Sequence, residues 1–241
     1  MDKFIFTAVS GAQRTLQAQQ VRANNLANAD TPGFRANIEL ASVQALAGYG
    51  YDDVHLSRTE ADAVSTRNGT VRDTGRPLDV AVNGNGYLAV EWDEGEAYTR
   101  AGAIAIDANG ALSVGGRPLL GEGGPIVLPP HTAVDIAPDG TISVMPEGAT
   151  LTQVIDRLRL VSGAGADLTK NEAGLIVSRN GDPLAADQNV TVRSRALEGS
   201  NVSAIEEMVA VMSLNRSFEM QMKMFKASDS MNESGNRLLG A

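Results

Sequence analysis

The sequence predicts an α+β protein in which paired long N- and C-terminal helices form a coiled coil and flank an all-β central domain of hairpins. Apolar residues recur every three or four positions at both ends of the chain, a spacing typical of amphipathic helices. In the middle they recur every second position, as in half-buried strands, and Asn-Gly or Asp-Gly pairs separate the alternating segments. The predicted parts are a helical assembly domain at residues 1–30 with 201–241, an extended connecting segment at 31–77 and a β-rich body domain at 78–200.

The N-terminal segment has the features of one long helix. Before Asn28 it contains no proline and one glycine. Its apolar positions are Ile5, Ala8, Val9, Ala12, Leu16, Ala23, Leu26 and Ala27. Alanine lets a partner helix approach closely but buries little apolar area. Because Pro32 disfavours helical dihedral angles at Thr31, we expect the helix to end before Thr31-Pro32-Gly33.

The C-terminal segment repeats the helical spacing with larger side chains, and we expect Ser200 or Asn201 to cap its start. The predicted contact residues on this helix are Ile205, Met208, Met212, Asn215, Phe218, Met222 and Phe225. Six of the eight methionines lie in residues 201–241. Flexible thioethers suit an interface that must fit several neighbours, although they serve equally well as gap-fillers in a bundle core.

The central part is predicted to consist of short strands joined by tight turns. The alternating segments are Leu78-Val80-Val82, Ile104-Ile106, Leu112-Val114, Val134-Ile136, Ile142-Val144, Leu158-Leu160 and Val190-Val192. The turn signals are Asn83-Gly84, Asn85-Gly86, Asn109-Gly110, Asp139-Gly140 and Asn180-Gly181. Residues 38–77 show no convincing period, so we expect extended or loop structure there.

Composition excludes several classes of function. The net charge of -9 argues against a nucleic-acid partner, which normally meets a face rich in Lys and Arg. The excess acid lies in the central part, whereas residues 1–37 and 201–241 are nearly neutral and therefore free to associate. Without cysteine there can be no disulfide and no Cys-ligated metal. No apolar run is long enough for a membrane span or a cleaved signal peptide, so we expect neither.

No residue pattern indicates catalysis or a cofactor. His55 and His131 are the only histidines, and Asp52, Asp53 and His55 are interpreted as a solvated acidic loop and not as a metal site. Phosphate-binding glycine motifs and nucleophile elbows are absent from the sequence. An acidic pair for glycoside hydrolysis is the one enzymatic alternative that counting carboxylates leaves open. We therefore predict no enzyme, no catalytic residues, no cofactor and no metal.

Two groups of residues at the N-terminal end carry a family resemblance. The run Asn24-Asn25-Leu26-Ala27-Asn28, a short gap and then Thr31-Pro32-Gly33-Phe34-Arg35 resembles the N-terminal signature of the bacterial flagellar rod and hook family. The segments Arg76-Pro77-Leu78-Asp79-Val80, Glu198-Gly199-Ser200-Asn201-Val202 and Arg216-Ser217-Phe218-Glu219-Met220 resemble later parts of the same family. The resemblance implies a proximal-rod subunit that polymerises through its terminal helices, with a distal-rod subunit as the alternative. It also implies export through the flagellar type III apparatus and a place crossing the periplasm.

The expected partners are other copies of the chain and neighbouring rod proteins, with no nucleic acid and no membrane insertion. The predicted subunit-interface residues of the N-terminal part are Asn24, Asn25, Leu26, Asn28, Pro32, Gly33 and Phe34. Asparagine amides on adjacent turns could fix the register between subunits, or could instead satisfy helix-end groups locally. From another class of function, a periplasmic binding module or adaptor that uses the β-domain face remains an alternative.

Overall fold

The computed structural model describes residues 2–45, 55–92, 95–165 and 167–239. In these ranges the chain forms two helices, α1 (Asp2–Ala27) and α2 (Ala204–Leu239), and nineteen strands. The strands of the first half are β1 (Asn37–Ala45), β2 (His55–Val64), β3 (Val71–Asp73), β4 (Val80–Val82), β5 (Gly86–Trp92), β6 (Gly95–Thr99), β7 (Ile104–Ile106), β8 (Leu112–Val114), β9 (Arg117–Pro118), β10 (Leu120–Gly121) and β11 (Gly124–Pro125). Those of the second half are β12 (His131–Ile136), β13 (Thr141–Pro146), β14 (Gln153–Arg157), β15 (Leu160–Ser162), β16 (Leu168–Lys170), β17 (Ile176–Ser178), β18 (Val192–Ser194) and β19 (Ala196–Glu198).

The chain divides into two compact units. The helical unit contains α1, α2, β1 and the part of β2 that ends at Asp62. The β-rich unit contains Asn28–Ala36 and Ala63–Val202. Among the described helices, none has the length and apolar character needed to cross a bilayer.

The prediction of paired long helices in a coiled coil is wrong. Within the described residues there are only two helices, the shorter one of 26 residues at the N-terminal end and the other of 36. The side-chain contacts between them include polar ones: Arg22 lies 3.1 Å from Glu207, and Gln19 donates a hydrogen bond to Asn215. A coiled coil instead needs a continuous stripe of apolar side chains, each of which inserts between side chains of the partner helix.

Several large apolar residues that such a stripe would bury are exposed. Leu16 of α1 is 43% exposed, and Met208 and Met212 of α2 are 49% and 53% exposed. Periodicity identified an apolar stripe on each helix correctly, but it does not determine which face meets the other helix. In this chain polar pairs take part in that contact.

The start of α2 also differs from the prediction. The helix begins at Ala204, and the residue before it, Ser203, accepts a hydrogen bond from the N–H of Glu206 at 3.4 Å. Neither Ser200 nor Asn201 caps the helix, because Asn201 uses its amide group elsewhere, as described below.

The segment for which we expected extended or loop structure contains two long strands. β1 and β2 form a two-stranded sheet. Their sequences, NIELASVQA and HLSRTEADAV, lack a continuous alternation of apolar and polar residues, which is why periodicity missed them. Asp52, Asp53 and the side chain of His55 lie outside the described residues, so the acidic loop stays a prediction.

The β-rich unit is organised around a five-stranded antiparallel sheet with the strand order β15-β5-β6-β17-β16. Side chains of β5 alternate between two apolar clusters, with Leu88 and Val90 in one and Tyr87 and Ala89 in the other. Both faces of β5 are therefore covered. A second sheet, β12-β13-β14, adds Ile136, Ile142 and Val144 to the cluster that contains Leu88. Asn85-Gly86, predicted as a turn, instead leads into β5.

Candidate assembly site

The residues that follow α1 form a connector, defined here as Asn28–Ala36, which belongs to the β-rich unit. Gly33 lies at its centre with a φ of 70°, and a Cβ atom built on it would lie closer than 3.0 Å to the backbone of Arg100 and Ala101. The N–H of Gly33 donates to the carbonyl oxygen of Glu198 at 2.8 Å. No other residue type fits this close approach without a backbone shift.

Arg35, at the end of the signature, belongs to a buried charge cluster. The carboxylate of Glu198 lies 3.0 Å from the guanidinium of Arg35 and 3.0 Å from that of Arg100. All three side chains are at most 2% exposed. Burial, which disfavours the charged form, and then the nearby charge of Arg35 lower the pKa of Arg100 to about 10.

The cluster is satisfied mainly by backbone groups. Its further hydrogen bonds run from Arg35 to the carbonyl oxygen of Arg67 and to Oδ1 of Asn68, from Arg100 to the carbonyl oxygens of Val82 and Gly84, and from the N–H of Gly69 to Glu198. The cation of Arg100 also lies 5.3 Å from the ring centre of Tyr87. These bonds tie the connector to several elements of the β-rich unit at once.

Asn201 fastens the connector from the C-terminal side of the same unit. Its Oδ1 accepts a hydrogen bond from the N–H of Ala36 at 2.7 Å, and its Nδ2 donates to the carbonyl oxygen of Arg67 at 2.7 Å. The N–H of Asn201 donates to the carbonyl oxygen of Phe34 at 3.2 Å. Asn201 therefore acts like a residue of a neighbouring strand, pairing with backbone on both sides.

Asn25 has a comparable arrangement inside the helical unit. Its side chain is fully buried, its Nδ2 donates to the carbonyl oxygen of Asn37 at 3.1 Å, and its Oδ1 accepts from the N–H of Asn37 at 2.9 Å. Both amide functions are thus used within the chain. Asn24 is exposed on α1, and Oδ1 of Asn28 accepts a hydrogen bond from the hydroxyl of Thr31 at 3.2 Å.

The other predicted residues of the N-terminal part are more accessible. Pro32 is exposed, and Leu26 and Phe34 are half-buried. The ammonium group of Lys170 lies 3.7 Å from the ring centre of Phe34. The intrachain contacts of these residues leave their predicted role at a subunit interface as a prediction.

On α2 the predicted interface residues are divided between two faces. Phe218 and Phe225 are half-buried, and Asn215 accepts the hydrogen bond from Gln19. The opposite side, which we call the apolar face of α2, carries large side chains that are between 49% and 74% exposed. Its members are Ile205, Met208, Val209, Met212, Met220, Met224 and Met231. Met222, 42% exposed, lies beside this face.

Sequence reasoning missed the partners that hold the signature. Glu198 and Asn201 stood in a quoted C-terminal segment, but nothing in the sequence connects them with Arg35 and Ala36. In the described part of the chain no group of three His, Cys, Asp or Glu side chains could hold a metal ion. The β-rich unit thus contains a structural anchor for the connector, and in the helical unit α2 carries exposed apolar side chains.

Comparison with known protein families assigns the chain to a class. Three family models match it: "Flagella basal body rod protein" at residues 5–35, "Flagellar hook protein FlgE/F/G D1 domain" at residues 81–144 and "Flagellar basal body rod FlgEFG protein C-terminal" at residues 193–238. The first covers α1 and most of the connector, and the last covers Glu198, Asn201 and most of α2. The chain is therefore a structural protein of the flagellar rod and hook class.

Relatives identify the family more closely. The flagellar basal-body rod proteins FlgF of Escherichia coli and of Salmonella typhimurium are each 38% identical to the chain over 99% of both sequences. The rod protein FlgG of Bacillus subtilis is 29% identical over 46% of the chain and 47% of its own length. The chain belongs to the FlgF family of flagellar basal-body rod proteins, and it is a structural subunit of the rod. The predicted resemblance is thereby confirmed.

Proposed function

We propose that this rod subunit polymerises through its terminal parts, residues 1–30 and 201–241, and transmits torque across the periplasm as part of the proximal rod. The apolar face of α2 is the observation that carries the proposal. Its seven large side chains stay accessible to solvent along one side of a helix of 36 residues. Exposed apolar side chains that recur along one side of a helix favour a role in binding a partner.

The energetics favour assembly over an isolated chain. Burying apolar surface contributes about 25 cal/mol per Å², so that covering several methionine, isoleucine and valine side chains yields several kcal/mol per contact. Methionine adapts its shape to neighbours in slightly different geometry, which suits a subunit that meets both its own kind and other rod proteins. A contact that does not close on itself produces an open filament.

Partners and route of export belong to the same proposal. The partners are other copies of the chain and neighbouring rod proteins, and the flagellar type III apparatus exports the chain without a cleaved signal peptide. The near-neutral ends and the acidic centre support this arrangement, because charge repulsion then falls on the body and not on the segments that associate.

The double variant Met212→Gln, Met220→Gln tests the proposal. We expect the purified variant to unfold at the wild-type urea midpoint, because both side chains are exposed, and we expect cells that carry it to lose rod assembly and swimming. The matched control is Leu151→Gln, Val154→Gln, which changes two exposed apolar residues of the β-rich unit. Normal swimming of the Met212, Met220 variant, or equal loss in the control, would overturn the proposal.

A further inference from the structure

Lys170 contacts the connector at two points, although the family signature lies far from it in sequence. It is the last residue of β16, opposite Ile176 of β17. Its Nζ donates a hydrogen bond to the carbonyl oxygen of Arg35 at 2.6 Å and lies 3.7 Å from the ring centre of Phe34. Lys170 and both connector residues belong to the β-rich unit.

The hydrogen bond from Lys170 holds the carbonyl oxygen of Arg35. The neighbouring carbonyl oxygens of Phe34 and Ala36 accept from the N–H groups of Asn201 and Ser65. A carbonyl oxygen that loses its donor holds the backbone around it less firmly.

Lys170 makes this bond without a carboxylate of its own. Within the described ranges no Asp or Glu forms an ion pair with Nζ, and the hydrogen bond from Nζ goes to the backbone of Arg35 and not to its guanidinium. The strand paired with β16 presents Ile176, Val177 and Ser178, which do not titrate. Burial lowers the pKa of Lys170 to about 8. The ammonium group is therefore partly desolvated in the position in which it contacts the connector.

We propose that Lys170 is a positioning residue for the signature: by its hydrogen bond and its contact with Phe34 it fixes the Phe34–Arg35 backbone on β16 and so keeps the guanidinium of Arg35 within reach of Glu198. This role goes beyond that of a rod subunit, since it concerns how one chain presents its connector. Replacing this desolvated cation by an apolar group should change overall stability little. It should nevertheless free the backbone that the cation held, so the effect on the position of the connector can be measured apart from the effect on stability.

Trypsin cleavage after Arg35 reports release of the connector. We compare wild type, Lys170→Met and Lys170→Arg, each rate being divided by that of an unstructured peptide with the sequence of residues 28–40 at the same pH. Lys170→Met should raise the relative rate roughly tenfold, the equivalent of one lost hydrogen bond. Lys170→Arg, which keeps a charged donor, should restore it to within about threefold of wild type. Cleavage after Arg159 monitors global opening and should stay unchanged.

The pH profile distinguishes Lys170 from a merely structural residue. Its pKa is about 8 with the connector in place and near 10.5 once it is solvated, so rising pH through this window favours the closed connector. The relative cleavage rate of wild type should be level near pH 7 and fall from about pH 8 to about pH 9.5, whereas that of Lys170→Arg should stay flat.

Three results would overturn the proposal: wild-type cleavage after Arg35 in Lys170→Met, equally fast cleavage in Lys170→Arg and Lys170→Met, or a parallel rise after Arg159. If Lys170→Met does not fold, Lys170→Gln, which keeps an N–H donor, replaces it. Its relative rate should then lie between those of wild type and Phe34→Ala, and a rate equal to that of Phe34→Ala would again reject the role.

Discussion

The carboxylate of Glu198 lies 3.0 Å from the guanidinium of Arg35, and the two side chains are 2% and 1% exposed. One residue comes from the N-terminal signature and the other from the strand that precedes α2. Because Arg100 shares the same carboxylate, the cluster holds one anion for two cations. Its stability therefore depends on Glu198 more than on either arginine.

Replacing Glu198 by Gln should lower the free energy of unfolding by about 3–5 kcal/mol, because two buried guanidinium groups then lose their counter-ion. Urea denaturation measures the change. Asp73→Asn is the control, since the ion pair of Asp73 with Arg193 is exposed and should contribute less than about 1 kcal/mol. Similar losses in the two variants would contradict a special role for the buried cluster.

Gly33→Ala should destabilise the β-rich unit by about 3 kcal/mol or more, since the new methyl group meets the backbone of Arg100 and Ala101. Gly75→Ala is a matched control, because Gly75 has a similar φ of 77° but nothing within 4 Å of its Cβ position. We expect it to lose about 1 kcal/mol, the cost of a left-handed backbone alone. Thermal or urea unfolding of both variants shows how much stability is lost to the steric clash and how much to the left-handed backbone conformation. Equal losses in the two variants would reject the steric explanation.

In wild type, Oδ1 of Asn25 accepts a hydrogen bond from the backbone N–H of Asn37. Asn25→Ala removes this acceptor and should speed hydrogen exchange at the N–H of Asn37 roughly tenfold. Hydrogen exchange resolved by NMR measures this rate directly. Asn24→Ala changes the exposed neighbour and should leave exchange at Asn37 as in wild type. If Asn37 exchanges at the same rate in all three proteins, Asn25 does not hold this backbone.

Asp139→Ala should weaken the turn between β12 and β13 at neutral pH but not in acid. The N–H and hydroxyl of Thr141 donate to the Asp139 carboxylate at 3.1 and 2.8 Å, and these hydrogen bonds lower its pKa below the ordinary 3.8. A carboxylate with a lowered pKa contributes stability above its unfolded pKa and loses it as the pH falls. The variant should therefore unfold at a lower urea concentration than wild type at about pH 7, by less than about 1 kcal/mol, and the difference should shrink towards about pH 2. A constant difference at both pH values would contradict the assignment.

Periodicity predicted local structure well where one face is buried. The first helix was expected up to Asn28 and ends at Ala27, and the segments around Ile104, Leu112 and Ile142 all lie in strands. Periodicity did not predict strands in which apolar and polar residues fail to alternate. It also did not predict which face of one helix packs against the other helix. β1 and β2 gave no alternation, and the stripes on α1 and α2 suggested a coiled coil that polar contacts replace.

The candidate site could be predicted only in part. The signature pointed to Gly33 and Phe34, because a glycine after proline indicates a turn whatever the tertiary structure. Glu198 and Lys170 carried no comparable signal, since an ionisable residue in a sequence looks the same whether it is solvated or buried against a distant partner. Only the folded chain shows which charges meet.

The late position of Glu198 sets the timing of folding during synthesis. Arg35 leaves the ribosome early, but its carboxylate partner, the strands β18 and β19 and the amide of Asn201 are made only after most of the chain. A nascent chain that stops before Val192 carries both arginines without their shared counter-ion and lacks β18 and β19, the partners of β4 and β3. The β-rich unit should thus remain open until Glu198 has been made, because the contacts that close it join segments far apart in the sequence.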